Sequence, residues 1–150
     1  MNTGVAVIGC GLIGRKRANA FGETKLVACA DLDLSLAKTL ATSMPGCYAT
    51  VDWQEVVARE DVGIVVIATP HHMLAEITEG AINAGCHVLV EKPISVTPSE
   101  ADTMISAARA AEKIRRRNMM LGAGALGVGT IALLKKKKAQ KRQPLEVQLT

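Results

Sequence analysis

Between a continuous apolar run, Val5-Ala6-Val7-Ile8, and a helical pattern from Leu12 to Phe21, the chain reads Gly9-Cys10-Gly11-Leu12-Ile13-Gly14. In a GxGxxG turn each glycine has its own reason. Gly9 permits the tight turn, Gly11 lets a pyrophosphate approach the backbone, and Gly14 lets helix and strand pack closely. The helix N-terminus then offers free N–H groups and a partial positive charge to the phosphates. Asp31 lies 20 residues after Gly11, at the end of a second apolar run, Leu26 to Ala30. An acid at that distance can accept hydrogen bonds from both hydroxyls of an adenosine ribose. A 2′-phosphate would meet its negative charge, and Leu32 rather than an arginine follows it. The expectation is a dinucleotide site holding the cofactor at Gly9, Cys10, Gly11, Leu12, Ile13, Gly14 and Asp31, with NAD preferred over NADP.

The rest of the first three quarters alternates strand and helix. Ser35 to Thr42 reads as a helix broken by Pro45-Gly46, Cys47 to Ala49 as a short strand, and Asp52 as the cap of a brief helix through Ala58. Ile64-Val65-Val66-Ile67-Ala68 is β-branched up to its last residue, and so reads as a buried strand. His72 to Ala84 reads as a helix closed by Gly85, and His87 to Glu91 as the next strand. Thr97-Pro98-Ser99-Glu100 is a capping box with proline in the first turn, opening a helix to about Lys113. This alternation predicts an α/β fold, a doubly wound and mostly parallel sheet of the Rossmann type.

Composition narrows the function. Aromatic residues make up 2% of the chain, so the core is aliphatic and base-stacking platforms are missing, which argues against a nucleic-acid partner. The net charge of +4 is uneven: residues 1–112 carry 8 basic and 13 acidic residues, and residues 113–150 carry 10 and 1. The basic character therefore belongs to the C-terminal quarter. Cys10, Cys29, Cys47 and Cys86 form no CxxC pair, and read as free thiols in a reducing cytosol rather than as metal ligands. Met1-Asn2-Thr3 leads directly into a strand instead of a secretory signal, which adds to a cytoplasmic expectation.

Two further segments carry a family resemblance. Ala68-Thr69-Pro70 ends one strand, and Ala84-Gly85-Cys86-His87-Val88-Leu89-Val90-Glu91-Lys92-Pro93 follows one helix later. With the glycine turn, these resemble the N-terminal NAD(P)-binding domain of the glucose–fructose oxidoreductase / inositol dehydrogenase family, over roughly residues 3–113. The resemblance implies an oxidoreductase that takes a hydride from a hydroxyl-bearing carbon of a sugar or polyol. It also implies that Ala68, Thr69, Pro70, Glu91, Lys92 and Pro93 lie at the cofactor. Lys92 would be the catalytic residue, near the substrate hydroxyl, where an amine can position that group or take its proton. The peptide bond before Pro93 would often be cis in such a family, a device for turning the lysine inward. Relatives usually carry a histidine in a TPxxxH arrangement. Leu74 occupies that slot, and His71 and His72 come too early, so they read as loop or helix-start residues. The family's second domain, which holds the substrate pocket and an Asp/His pair, has no counterpart of sufficient length in this chain. A nucleotide-binding module without turnover is therefore the alternative reading.

The division expected is a dinucleotide-binding domain over residues 1–122 and an atypical apolar, then Lys-rich tail over 123–150. Three readings of the last stretch stand side by side. Asn118-Met119-Met120-Leu121-Gly122 can be an edge strand followed by a poorly packed helix. Gly122-Ala123-Gly124-Ala125-Leu126-Gly127 is a second GxGxxG, similar to the glycine turn of medium-chain alcohol dehydrogenases, but no second strand and acid follow. Asn118 to Leu134 is also 17 residues without charge between Arg115-Arg116-Arg117 and four lysines, which would suit a short, membrane-associated span, although it contains 4 glycines. A truncated or rearranged reading frame accounts for the same abrupt change.

Overall fold

The computed structural model describes residues 4–22 and 25–120. Five strands alternate with five helices: β1 (Gly4–Ile8), α1 (Leu12–Asn19), β2 (Leu26–Ala30), α2 (Leu34–Thr42), β3 (Tyr48–Thr50), α3 (Trp53–Val57), β4 (Val62–Ile67), α4 (His71–Asn83), β5 (His87–Val90) and α5 (Pro98–Met120). The strands form one sheet in the order β3-β2-β1-β4-β5, and all pairings are parallel. This is the doubly wound arrangement expected from the alternation.

The central strands are apolar on both faces because each face carries helices. Every residue of β1 and β2 is buried. Successive side chains point to opposite faces, so Val5 and Val7 enter one core with Cys29, Ala18 of α1, and Ala37 and Leu40 of α2. Ala6 and Ile8 enter the other, with Val65 and Ile67 of β4, Val56 of α3, and Leu74 and Ile77 of α4. Burying one such aliphatic side chain contributes about 1.5–3 kcal/mol. The chain moves outward from β1 to β3 and then returns to the other side of β1 with β4. The crevice at the carboxyl ends of β1 and β4 is therefore the point where strand order reverses, the usual ligand position in such a sheet.

Local signals set the helix ends. Asp33 and Asp52 cap α2 and α3 through their carboxylates, and Gly85 follows α4 with φ +90°. The capping box at α5 is formed: Glu100 accepts the N–H groups of Val96 and Thr97, and the Thr97 hydroxyl accepts the N–H of Glu100. α5 runs past Lys113 to Met120, so Asn118–Met120 is helical and not an edge strand. The stretch after Lys113 holds arginine, isoleucine, asparagine and methionine, with no glycine or proline before Gly122, so nothing local stops the helix. An ion pair from Arg116 to Glu112 at 2.6 Å adds support one turn apart. Residues up to Ala111 make up one compact unit, and Glu112 opens a second. Among the described residues no helix is long and apolar enough to cross a membrane. From Leu121 onward, the second glycine motif, the rest of the 118–134 apolar stretch and the lysine run lie outside the described residues.

Candidate cofactor-binding site

Four segments meet at the carboxyl edge of the sheet, each joined by the first N–H beyond its strand to the neighbouring strand's last residue. Asp31 donates to Thr50 O (3.2 Å), Gly9 to Ala30 O (2.8 Å), Ala68 to Ile8 O (2.8 Å) and Glu91 to Ile67 O (3.0 Å). The glycine turn, the acid, Ala68-Thr69-Pro70 and Glu91-Lys92-Pro93 thus sit side by side in sheet order, although 60 residues separate Asp31 from Glu91 in the sequence.

The three glycines of the turn differ in what surrounds them. Gly9 has φ +91°, and a Cβ there would lie 2.6 Å from the Ala68 carbonyl, so both backbone conformation and the approach of β4 require glycine. A Cβ on Gly14 would lie 1.8 Å from the Gly9 carbonyl oxygen, because the first turn of α1 rests on the loop. A Cβ on Gly11 would meet nothing within 4 Å; it would project into open space. Gly11 has no packing reason to be glycine, and the space beside it at the N-terminus of α1 suits a bulky anion. Leu12 and Ile13 open α1 and are exposed, whereas Cys10 is fully buried.

Asp31 is held as part of the turn. Its carboxylate accepts the backbone N–H of Cys10 at 2.7 Å and that of Asp33 at 2.9 Å. A pocket of about 130 Å³ opens beside it. Leu32, Val51, Trp53, Pro70 and Met73 supply apolar walls, and Thr69 lies among them. The Thr69 hydroxyl is screened from solvent and has no hydrogen-bond partner among the described residues. A buried hydroxyl without a partner is costly, and one facing a polar ligand would gain one. The open space at Gly11, the carboxylate of Asp31 and this hydroxyl together fit a dinucleotide.

At the far end of the edge, the Lys92–Pro93 peptide bond is cis and Lys92 is exposed, where the resemblance implies an inward-turned lysine. Glu91 pairs with Arg17 of α1. That hydrogen bond, followed by the positive charges of Arg17 and Lys92, holds the Glu91 carboxyl below the usual carboxylate range. Leu74, in the slot where relatives carry histidine, is fully buried in the core beneath α4, while His71 and His72 are exposed at the start of that helix. The four cysteines are free; the hydrogen bond involving Cys10, then burial, pushes the Cys29 thiol up to about 12, against an opposing effect of Cys47.

The sequence profile described as "Oxidoreductase family, NAD-binding Rossmann fold" matches residues 3–118. The chain belongs to this oxidoreductase family. It is similar to levoglucosan dehydrogenase of Pseudarthrobacter phenanthrenivorans, with 30% identity over 119 residues, covering 72% of this chain and 30% of that protein. Among solved structures it is similar to GenD2 from gentamicin A biosynthesis in complex with NAD (TM-score 0.69, 33% identity, 73% of this chain and 32% of that one). It is also similar to KijD10, a 3-ketoreductase from Actinomadura kijaniata in complex with NADP and TDP-benzene (TM-score 0.65, 28% identity, 73% and 34%). The chain spans about a third of the length of these family members.

Arg17 and Trp53 were not legible from the sequence as residues of this edge and its pocket. Arg17 is one of three basic residues in a row, and nothing local distinguishes it from Arg15 or Lys16. A lone tryptophan after a helix cap was the available signal for the other.

Proposed function

We infer that this chain binds NAD and forms the cofactor half of an oxidoreductase acting on a CH–OH group of a sugar or polyol. One observation carries the reading: the glycine turn, Asp31, Thr69-Pro70 and Glu91-Lys92-Pro93 share one sheet edge, with open space at Gly11. In this reading the turn from Gly9 to Gly14 holds the pyrophosphate by backbone N–H groups at the start of α1. Asp31 accepts the ribose hydroxyls, and its charge favours NAD over the 2′-phosphorylated cofactor. The Thr69 hydroxyl donates to the bound cofactor. When bound, the nicotinamide ring supplies the hydride acceptor. Lys92 takes the proton of the substrate hydroxyl, or holds that hydroxyl in place.

The dinucleotide-binding domain in this reading is residues 1–122, with 123–150 an appended tail. The cytoplasm is the compartment favoured, because buried free thiols persist in a reducing environment. In this reading the substrate pocket lies outside the stretch shared with GenD2, which is 32% of that chain, and residues 4–22 and 25–120 act as the nucleotide-binding module.

Calorimetric titration of the chain with NAD and NADP tests the reading. Saturable binding with NAD tighter than NADP is expected. Failure of both to bind would overturn it.

A further inference from the structure

The chain has a single tryptophan, Trp53, the first residue of α3. Its ring is sunk into α4 at Gly80. A Cβ on Gly80 would lie 2.4 Å from Trp53 Cη2 and 2.6 Å from Cζ3. Gly80 is inside a 13-residue helix, where glycine is the poorest choice after proline. Its φ is not in the left-handed region, which among the described glycines is reserved to Gly9, Gly22, Gly46 and Gly85. Backbone conformation therefore does not ask for glycine at this position; the tryptophan ring does.

Trp53 also lines the pocket beside Asp31, together with Leu32, Val51, Pro70 and Met73. At about 130 Å³ this pocket is smaller than the roughly 300–1,000 Å³ that takes a whole drug-sized ligand. It suits one ring of a larger ligand. Its walls are apolar, and its polar border is the carboxylate that would hold a ribose. An apolar slot one ribose away from an acid fits a nucleobase.

We propose that Trp53 is the wall against which the adenine ring of the cofactor rests, and that Gly80 is a positioning residue that seats this wall. The proposal rests on the NAD reading above. A methyl group at position 80 must displace the ring, and the displaced ring narrows or distorts the adenine slot. Gly80 then sets adenine affinity without touching the cofactor.

Because Trp53 is the lone tryptophan, its emission reports on this pocket alone. The chain is titrated with AMP and with nicotinamide mononucleotide by fluorescence, and with NAD by calorimetry. AMP and NAD should change the emission saturably, and nicotinamide mononucleotide should not. Trp53→Ala should weaken AMP about ten-fold, within the range of losing one aromatic contact to a base. Gly80→Ala should weaken AMP several-fold. In a Trp53→Phe background the fused ring that meets the new methyl group is gone, so Gly80→Ala should leave AMP affinity unchanged and raise the melting temperature. This double variant keeps the test open if Gly80→Ala alone folds poorly. If NAD binds and Trp53→Ala leaves its affinity and that of AMP unaltered, the wall assignment is wrong and the NAD reading stands. If Gly80→Ala weakens AMP equally in both backgrounds, its effect does not pass through the ring and the positioning role is refuted. If NAD does not bind the wild-type chain, both readings fail together.

Discussion

Arg17 of α1 donates from its guanidinium Nε to the carboxylate of Glu91, across 74 residues of sequence. The contact ties the helix that starts at the glycine turn to the strand end that carries Lys92. The Arg17 side chain is 49% exposed and that of Glu91 only 16%. Glu91 therefore carries more of the consequence of breaking the pair.

A pH dependence follows. Glu91 is held below its ordinary value in the folded chain, first by the hydrogen bond from Arg17. Such a group contributes stability above its unfolded pKa and loses it as the pH falls through the folded one. The wild type should melt above Glu91→Gln at pH 7. The gap should begin to close below about pH 4, where an unfolded glutamate takes up its proton, and vanish once Glu91 is protonated. Arg17→Gln should behave likewise. Thermal melts across pH 2–7 decide the matter, and a gap independent of pH would remove this ion pair from the account.

The glycine turn separates folding from binding. Gly14→Ala places a methyl group 1.8 Å from the Gly9 oxygen, and should cost about 1–3 kcal/mol or more, as overpacking does. Gly11→Ala meets no atom within 4 Å, and should change stability by less than about 0.5 kcal/mol. The same substitution should weaken NAD strongly, because the methyl group occupies the space for phosphate. Urea denaturation and calorimetry on both variants give the contrast. A Gly11→Ala chain with unaltered NAD affinity would place the pyrophosphate elsewhere.

Asp31 should decide between the two cofactors. Hydrogen bonds to a charged group contribute about 1.5–3 kcal/mol, so Asp31→Ala should weaken NAD by about ten-fold or more, and NADP by less. The carboxylate also holds the N–H of Cys10 at 2.7 Å, so part of the loss in Asp31→Ala comes from a loosened turn. Asp31→Asn keeps an acceptor for that N–H while removing the charge, and should raise NADP affinity relative to NAD with little change in the melting temperature. An unchanged ratio in both variants would refute the ribose role.

Turnover should require a second domain. Holding a substrate in a reactive pose can lower a barrier by ~7–11 kcal/mol, and Lys92 is exposed. The chain alone should bind NAD and show negligible reduction of it with sugars or polyols. Supplying a family substrate domain on a second chain should restore activity, and Lys92→Ala should abolish that activity. Turnover by the 150-residue chain at ordinary enzyme rates, about 1–10³ per second, would contradict this.

What the sequence by itself determined is local. Apolar runs, helix caps, the left-handed glycines and the GxGxxG spacing each act within a few residues, so strand, helix, turn and the position of Asp31 could be read in order. The capping box at Thr97 was legible for the same reason. The end of α5 was misread because the apolar residues at 118–122 fit a strand as well as a helix, and helical continuity through Arg117 decided it. Tertiary structure alone decided which strand ends are neighbours. Ala68 lies against Gly9 only because β4 returns to the free side of β1, and Arg17 reaches Glu91 only because β5 follows β4. The same holds for Trp53 and Gly80, whose match shows as a lone tryptophan and an unexplained glycine until α3 and α4 pack on one face. Contacts between distant residues depend on strand order and on the shape of the packed surfaces, and no periodicity along the chain encodes either.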